Sequence, residues 1–539
     1  MEVPLKTHSS SSLKGGRPFK PFEECNIRAK RYKAADLASQ YSQEHLAMAN
    51  SISGEKFKAS SYISTHSALA MLVDAELTKY QYESIKYTLQ NAGYDILPPY
   101  KYVKEEKMKC YPDDIHVSET EAVVNVQSLL DHTTKRLFDS FSEEHVTGMT
   151  NLSCTLTSKW GCDGSSSHRE YNQSLPADKS DKNIILASMV PLSLVSETDE
   201  KYWSNQIPSS TRYCRPLYFE FAKETKEKML NVYEKIATDI SLLKNTDVIV
   251  HGKHFQVQHT MLFTMIDGKT AQTITGTSSG AVCFICGAKP TEMNNIEKVV
   301  ERPISNEACK LGISSLHARI KFMECILHIA YNLPFKKWST TTDEHKAIRR
   351  ENKKRIQMEI RDKMGLRVDY VEAGTGTSNN GNTSRRFFSN PSIIAQITGV
   401  DEEIIQRFRI ILQVITCSRR IDSEKYELFA RDTASKFISK YNWYYMPSTV
   451  HKVLIHGKQI MDASILPIGM LSEEAEEARN KDYRNYRLLF SRKSARTLTN
   501  TDVLNRLLVT SDPFITSIRR VPPKVSLDLD DEVKKMILD

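Results

Sequence analysis

The sequence predicts an α/β fold that is joined to a large α-helical region. Four segments carry strand patterns, most clearly where apolar and polar residues alternate: residues 151–163, 183–195, 216–221 and 255–266. Residues 225–243 place apolar side chains at helical spacing. Residues 295–446 are helix-rich over a much longer stretch. We therefore expect a sheet of several strands, an adjoining helix and a separate helical region.

Length and composition exclude a single small module and a membrane-spanning chain. At roughly 150 residues per domain, 539 residues imply three or four domains or one large core with insertions. Hydrophobic residues make up 40 % and charged residues 26 %, as in soluble globular proteins. The longest apolar stretch, residues 184–195, is interrupted by serine and proline and is shorter than the ~20 residues that span a bilayer. We therefore expect no transmembrane helix.

The cysteines and the first residues predict a reducing compartment. Ten cysteines in 539 residues are too sparse for a disulfide scaffold. The first fifteen residues are rich in serine and lysine and lack the apolar segment of a secretory signal. The net charge of +8 allows nucleic-acid binding without requiring it.

Basic residues are concentrated near the start of the chain. Residues 14–33 contain seven lysines and arginines against two glutamates, and residues 26–48 are helix-prone. Gly15-Gly16-Arg17-Pro18 is compact enough for Arg17 to enter a DNA minor groove, although a disordered basic tail explains the pattern equally well. Between Tyr80 and Tyr111 tyrosines alternate with lysines, which suits either a packing surface, favoured by the pattern alone, or phosphate contact and base stacking.

Two aspartates follow predicted strands, and their positions suggest a metal site. Asp163 ends the first alternating segment, and Asp267 ends the last one, 104 positions later. An RNase H-like fold binds metal through carboxylates at neighbouring strand ends. Two such carboxylates repel each other unless a cation neutralises them, and a pair of magnesium ions can hold the attacking and leaving oxygens of a phosphoryl transfer. Taken alone, an Asp-Gly pair is more often a turn.

Cysteine and histidine pairs form a second candidate metal site. Cys283 and Cys286 have C-x2-C spacing, which suits a redox pair, a turn or half of a zinc site. His451 and His456 have H-x4-H spacing, within the range of the second half of such a site. Because 165 residues separate the two pairs, spacing alone leaves their association open. If all four bind one ion, the site is structural, since no coordination position remains for a substrate.

An acidic helix start follows the two histidines. Ser472 is a plausible N-cap, and Glu473, Glu474, Glu476 and Glu477 come directly after it. The pattern alone favours a solvated helix. Spacing does not say which glutamate matters.

Several motifs occur together in one order and carry a family resemblance. They are Trp160-Gly161-Cys162-Asp163-Gly164-Ser165-Ser166, Tyr213-Cys214-Arg215-Pro216-Leu217, Thr264-Met265-Ile266-Asp267-Gly268-Lys269, Val282-Cys283-Phe284-Ile285-Cys286-Gly287, His451-Lys452-Val453-Leu454-Ile455-His456 and the run from Leu471 to Lys481. From about residue 94 to 481 the chain resembles Transib-family DNA transposases, which are relatives of the catalytic subunit of the V(D)J recombination-activating recombinase. Residues 15–18 and 28–31 are similar to the start of that recombinase's nonamer-binding region.

The resemblance assigns roles to particular residues. Asp163 and Asp267 match the family's catalytic aspartates, and Glu477 matches its glutamate, which stands three residues before an Asn-Lys pair; Glu476 and Glu473 are the alternatives. These carboxylates would bind two Mg²⁺ or Mn²⁺ ions. Four residues match the ligands of one structural Zn²⁺: Cys283, Cys286, His451 and His456. Four basic residues are expected to contact DNA: Arg17, Arg28, Lys30 and Arg31.

The resemblance also implies a fold and a domain order. The fold is α/β plus α: an RNase H-like (DDE) catalytic core with a large helical zinc-binding insertion and an N-terminal helical DNA-binding and dimerisation region. The expected segments are an N-terminal region (1–80), a pre-RNase H region (81–150), the first part of the core (151–282), the insertion (283–456), the final core helix (457–495) and a C-terminal region with an acidic tail (496–539).

The implied function is cut-and-paste DNA transposition. A homodimer would bind the terminal inverted repeats of double-stranded transposon DNA, nick them, form hairpins on the flanking donor DNA and join the transposon 3′-hydroxyl ends to target DNA. The expected location is the nucleus, with no membrane partner. Two alternatives are a transposon-derived DNA-binding protein, which could lose a carboxylate, and another RNase H-like nuclease, which would lack the cysteine and histidine pairs.

Overall fold

The computed structural model describes residues 62–166, 179, 181–372, 376–521 and 528–538. The N-terminal predictions for Arg17, Arg28, Lys30, Arg31 and the helix at 26–48 lie outside these ranges. The chain divides into two units, of which the first comprises residues 1–63 and 85–97 and the second residues 64–84 and 98–539. In the described part of the first unit, the backbone N–H of Ile63 donates to the carbonyl of Ile96 over 2.9 Å.

The chain forms ten strands and twenty helices within the described residues. The strands are β1 Ile115–Val117, β2 Glu121–Val124, β3 Ser153–Ser165, β4 Ile184–Ser196, β5 Lys201–Ser204, β6 Arg215–Glu220, β7 Thr246–Val250, β8 Lys253–Phe263, β9 Val371–Glu372 and β10 Gly376–Thr377. The helices are α1 Thr65–Asp74, α2 Lys79–Asn91, α3 Tyr100–Met108, α4 Val126–Phe138, α5 Glu143–Gly148, α6 Lys226–Ser241, α7 Gly268–Ile274, α8 Ile296–Val300, α9 Asn306–Lys310, α10 Ser315–Asn332, α11 Asp343–Met364, α12 Gly381–Phe387, α13 Pro391–Thr398, α14 Glu402–Thr416, α15 Ser423–Tyr441, α16 Ser448–Ala463, α17 Glu474–Leu489, α18 Arg496–Thr510, α19 Pro513–Ile518 and α20 Asp531–Met536.

A mixed eight-stranded sheet forms the centre of the second unit. Its strands follow the order β1-β2-β6-β4-β3-β8-β7, and β5 pairs with the carboxyl-terminal part of β4. β3 pairs antiparallel with β4 and parallel with β8, so the carboxyl ends of β3 and β8 lie at the same edge of the sheet. Apolar residues of β4 and β6 pack with α6, α17 and α18 in one hydrophobic core.

The sheet confirms the four predicted strands and the predicted helix. Strands β3, β4, β6 and β8 overlap the predicted segments. Helix α6 begins after Thr225, whose hydroxyl accepts a hydrogen bond from the backbone N–H of Lys228. Strands β1, β2, β5 and β7 were not predicted because three to five residues are too few to establish an alternating pattern. β1 and β2 bring part of the expected pre-RNase H region into the same sheet.

The last predicted strand ends earlier than its sequence pattern suggests. β8 stops at Phe263, and the backbone N–H groups of Thr264 and Met265 both donate to the carbonyl of Trp160. The chain then passes so close to β3 that a Cβ on Gly161 would lie 1.8 Å from the carbonyl oxygen of Met265. Only glycine permits this approach, which carries Asp267 past the sheet edge.

The helices α8 to α16 have a hydrophobic core of their own, as the helix-rich sequence predicts. Its centre includes Phe322, Ile326, Ile411 and Phe437, all fully buried. Within the acidic tail, α20 buries Val533 against this core, so part of the tail packs on the helical region. Among the described helices, none combines the length and apolar character needed to cross a membrane.

Candidate active site and metal centre

Asp163 lies near the carboxyl end of β3, where it is half-buried beside the fully buried Cys162. The side-chain amide of Asn480, on α17, donates to its Oδ2 over 2.7 Å. A Cβ on Gly164 would come within 2.7 Å of the Glu224 side chain. The glycine after Asp163 therefore admits a second carboxylate at this point of the sheet.

Asp267 reaches the same edge by a different route. Trp160 of β3 pairs with Phe263, the last residue of β8, so Asp163 follows this pair within β3 and Asp267 follows it after β8 has ended. Asp267 is the N-cap of α7, and its Oδ1 accepts the backbone N–H of Thr270 over 2.7 Å. This hydrogen bond holds one carboxylate oxygen of Asp267 at the start of α7.

The helix α17 brings the glutamates to the two aspartates. Its start is fixed by Lys159 of β3, which is fully buried and donates to the carbonyl of Ser472 over 2.6 Å. Arg479, also fully buried, donates to the carbonyl of Cys214 over 2.6 Å. The helix is thus held to the sheet on both sides of Glu477.

The three candidate glutamates face different surroundings. Glu473 is buried, and its carboxylate accepts from Ser314 and lies 3.1 Å from Nδ1 of His317. Glu476 is 1 % exposed and lies 3.7 Å from the Cys214 thiol, and burial raises its pKa to about 7. Glu477 is exposed, and its charge acts on Asp163 more strongly than that of Glu476. Of these three, Glu477 is the one available to solvent beside Asp163.

Burial and repulsion between like charges both act on Asp163. Burial raises the pKa of Asp163 well above its ordinary value, and the charges of Asp267, Glu477, Glu476 and Glu224 raise it further. Such an anionic cluster favours a cation. Among the described residues, the three predicted catalytic carboxylates do not form a group whose ligand atoms lie close enough together to hold a metal ion, whereas one group of cysteines and histidines does.

Sequence reasoning missed two charged residues at this site. Glu224 lies against Gly164 and pairs with Lys269 over 2.8 Å. Burial lowers the pKa of His317, but its hydrogen bond and charge interaction with Glu473 outweigh burial and, with Asp267 and Asp163, raise the pKa to about 9. His317 is therefore positive at neutral pH. Neither residue belongs to a recognisable motif, so the sequence carried no signal for them.

The group of potential metal ligands consists of Cys283, Cys286, His451 and His456, whose ligand atoms all lie within 4.8 Å of one another. All four side chains are buried, and the Cys286 thiol lies 3.5 Å from Nε2 of His451. Hydrogen bonding from Cys286, together with His451 and His456, lowers the pKa of the Cys283 thiol. The two pairs that spacing left unconnected therefore form one Cys2His2 cluster.

Local backbone geometry prepares this cluster. Gly287 has a left-handed φ of +69°, which lets its N–H donate to the carbonyl of Cys283 over 2.8 Å and turns both thiols inward. Both histidines project from α16. Nδ1 of His451 and Nε2 of His456 are buried and have no hydrogen-bond partner in the described structure. Buried thiols with unpaired imidazole nitrogens fit a metal ion.

The mixed sheet with acidic side chains at one edge defines an RNase H-like domain. Residues 156–281 match the family model described as the recombination-activation protein 1 (RAG1) RNase H domain, and this segment contains Asp163 and Asp267. The match confirms, for this part of the chain, the resemblance to the catalytic subunit of the recombination-activating recombinase.

Among solved structures, the chain is similar to the Drosophila P element transposase strand transfer complex, with 9 % identity over 90 % of this chain and 100 % of that chain and a TM-score of 0.32. No curated protein matches the chain in sequence.

Proposed function

We propose that the chain is a metal-dependent DDE transposase that carries out cut-and-paste DNA transposition. The observation that carries this proposal is the group of like charges around Asp163, to which Asp267 and Glu477 contribute, within and beside a segment that matches the RAG1 RNase H domain. RNase H-like nucleases use divalent metals. The raised pKa of Asp163 among like charges is what such a site requires.

Two Mg²⁺ or Mn²⁺ ions, held by Asp163, Asp267 and Glu477, would neutralise this charge and activate the attacking oxygen. The remaining contacts keep the carboxylates in position. The Asn480 amide orients Asp163, the Thr270 N–H orients Asp267, and Lys159 holds the start of the helix that carries Glu477.

The proposed reaction has three steps. Water first nicks the DNA at the boundary of the terminal repeat. The freed 3′-hydroxyl of the flanking DNA then attacks the opposite strand, which leaves a hairpin on the donor flank, and the transposon 3′-hydroxyls finally attack target DNA at staggered positions, giving a short target-site duplication. Each step transfers a phosphoryl group to an oxygen nucleophile, so one set of carboxylates serves all three if the DNA moves between steps.

The Cys2His2 cluster holds, in this proposal, one structural zinc ion per chain. Four buried protein ligands complete a tetrahedral shell and leave no position for a substrate. Cys283 and His451 stand at the two ends of the helical region, so the ion would tie both ends together.

We also propose that the enzyme is a nuclear homodimer that holds two transposon ends. Each chain has one candidate active site, whereas two ends must be joined to both strands of one target. Arg17, Arg28, Lys30 and Arg31 are the proposed contacts to repeat DNA. A monomeric mass for the complex with two repeat ends would exclude the dimer.

Incubation with repeat-ended DNA and Mg²⁺, followed by a denaturing gel, tests the function. We expect nicks at the repeat boundary and then hairpins on the flank. Asp163→Ala is the matched control and should bind DNA without cutting it. Binding without cleavage by the wild-type protein would indicate a DNA-binding protein, and cleavage without hairpins or repeat specificity would indicate another nuclease.

A further inference from the structure

A basic groove lies between α2, α3 and α18, away from the candidate active site. It has a volume of about 1070 Å³. Six basic side chains line it, against two acidic ones, Glu83 and Asp502. The basic residues are Lys79, Lys101, Lys104, Lys107, Arg492 and Arg506.

Both acidic residues of the groove are already paired. Glu83 lies 3.7 Å from Lys79, and Asp502 lies 2.8 Å from Arg492. Lys101 in turn lies 4.0 Å from Glu105, which does not line the groove, so these ion pairs leave the charges of Lys104, Lys107 and Arg506 in excess. Burial lowers the pKa of Lys107, and the nearby charge of Arg506 lowers it further. Cations held this close to one another favour an anionic ligand.

The arrangement of the lysines suits an extended anion rather than a single phosphate. Lys101, Lys104 and Lys107 stand three residues apart along one face of α3. Arg506 faces them from α18. A row of this kind can contact successive phosphates of a nucleic-acid backbone.

The aromatic rings decide between a duplex and a single strand. Tyr82 of the tyrosine-lysine segment is buried, whereas Tyr100 and Tyr111 line the groove together with Phe490. The Arg506 guanidinium lies 3.8 Å from the centroid of the Phe490 ring, and the Lys79 ammonium lies 5.6 Å from that of Tyr100. A cation thus lies over one face of each of these two rings, and that face is not available to the stacked bases that single-strand binding would require.

We propose that this groove binds the phosphate backbone of double-stranded DNA. The inference rests on the proposed function, because it adds a second DNA contact to the same enzyme. Phe490 directly follows α17 and comes thirteen residues after Glu477, which corresponds to about 20 Å along a helix axis. The groove thus holds DNA away from the reacting phosphate, and its loss affects binding rather than chemistry.

The test compares Lys101→Ala/Lys104→Ala with the control Lys298→Ala/Lys354→Ala. Each double variant removes two positive charges from exposed helix positions. Affinity for a repeat-ended duplex is measured between 50 and 200 mM salt. For the groove variant the magnitude of the log-log salt slope should fall by about 1.8. The ratio of wild-type affinity to variant affinity should therefore fall roughly twelvefold between 50 and 200 mM salt. The control variant should retain the wild-type slope, and cleavage at saturating duplex should be unchanged in both.

The outcomes separate this inference from the proposed function. If the wild type neither binds nor cleaves the duplex, the proposed function fails. If the wild type does both and the groove variant keeps the wild-type slope with an unchanged melting temperature, only the groove assignment is wrong. A loss confined to single-stranded DNA would also overturn the assignment to duplex DNA.

Discussion

Replacing Glu477 and Glu476 separately by alanine tests which glutamate serves the proposed active site. Glu477 is exposed, so its loss should change the free energy of unfolding by less than about 0.5 kcal/mol. Removing a carboxylate that would hold the metals costs several kcal/mol of transition-state stabilisation, or a rate loss of about a thousandfold or more. Glu477→Ala should therefore melt like the wild type and bind repeat DNA, but neither nick it nor form hairpins.

Glu476→Ala should lower the stability of the protein and leave its cleavage activity intact. The side chain is almost fully buried and lies beside the Cys214 thiol and the Arg479 charge. Its removal leaves polar groups without a partner and a cavity in the core, at a cost of about 1–3 kcal/mol or more. We expect a melting temperature several degrees lower, with nicking retained below the transition.

Thermal melting and single-turnover cleavage of a repeat-ended duplex, measured on both variants, decide the question. If Glu477→Ala cleaves and Glu476→Ala does not, while both remain folded, the assignment on α17 is off by one residue. If both variants cleave, neither glutamate serves the proposed site.

Three further predictions concern separate parts of the molecule. Cys283→Ser should lose about one zinc per chain in elemental analysis and lower the melting temperature, because a structural metal site contributes folding energy directly; a wild-type protein without zinc would refute this. Burial lowers the pKa of Lys159 from 10.5 to about 8, so the unfolded chain binds more protons between these values, and stability should rise with pH there by roughly 3 kcal/mol relative to Lys159→Met. Equal pH profiles for the two proteins in denaturant titrations would contradict that reasoning. The last variant replaces Arg17, Arg28, Lys30 and Arg31 by alanine. At about 0.9 per phosphate contact, the salt slope of repeat binding should fall by between three and four units. An unchanged slope would mean that this segment does not contact DNA.

Local sequence was sufficient for the elements whose signal is contained in a few consecutive residues. The alternation in β3 and the apolar spacing in α6 reflect burial of one face, which the backbone period fixes. The glycines beside Asp163 and the Cys283-to-Gly287 turn were also present in the sequence. The reason for Gly161 and Gly164 lies in the tertiary structure, which packs Met265 and Glu224 against β3.

Tertiary structure decided everything that depends on distant segments meeting. Spacing could not join Cys286 to His451 across 165 residues, but the fold places the Cys286 thiol 3.5 Å from the imidazole. Spacing also could not predict the orientation of α17. Glu476 is buried and Glu477 is exposed because the buried side chains of Lys159 and Arg479 hold the helix against the sheet in one orientation.

The sequence by itself determined the strands, the helical region and the types of residue available for chemistry. Only the tertiary structure brought Glu224 and His317 to the acidic edge and placed the lysines of α3 opposite Arg506. The physical reason is that secondary structure follows from periodic burial along the chain. A site, in contrast, depends on the positions of side chains that packing brings together from elements far apart in sequence.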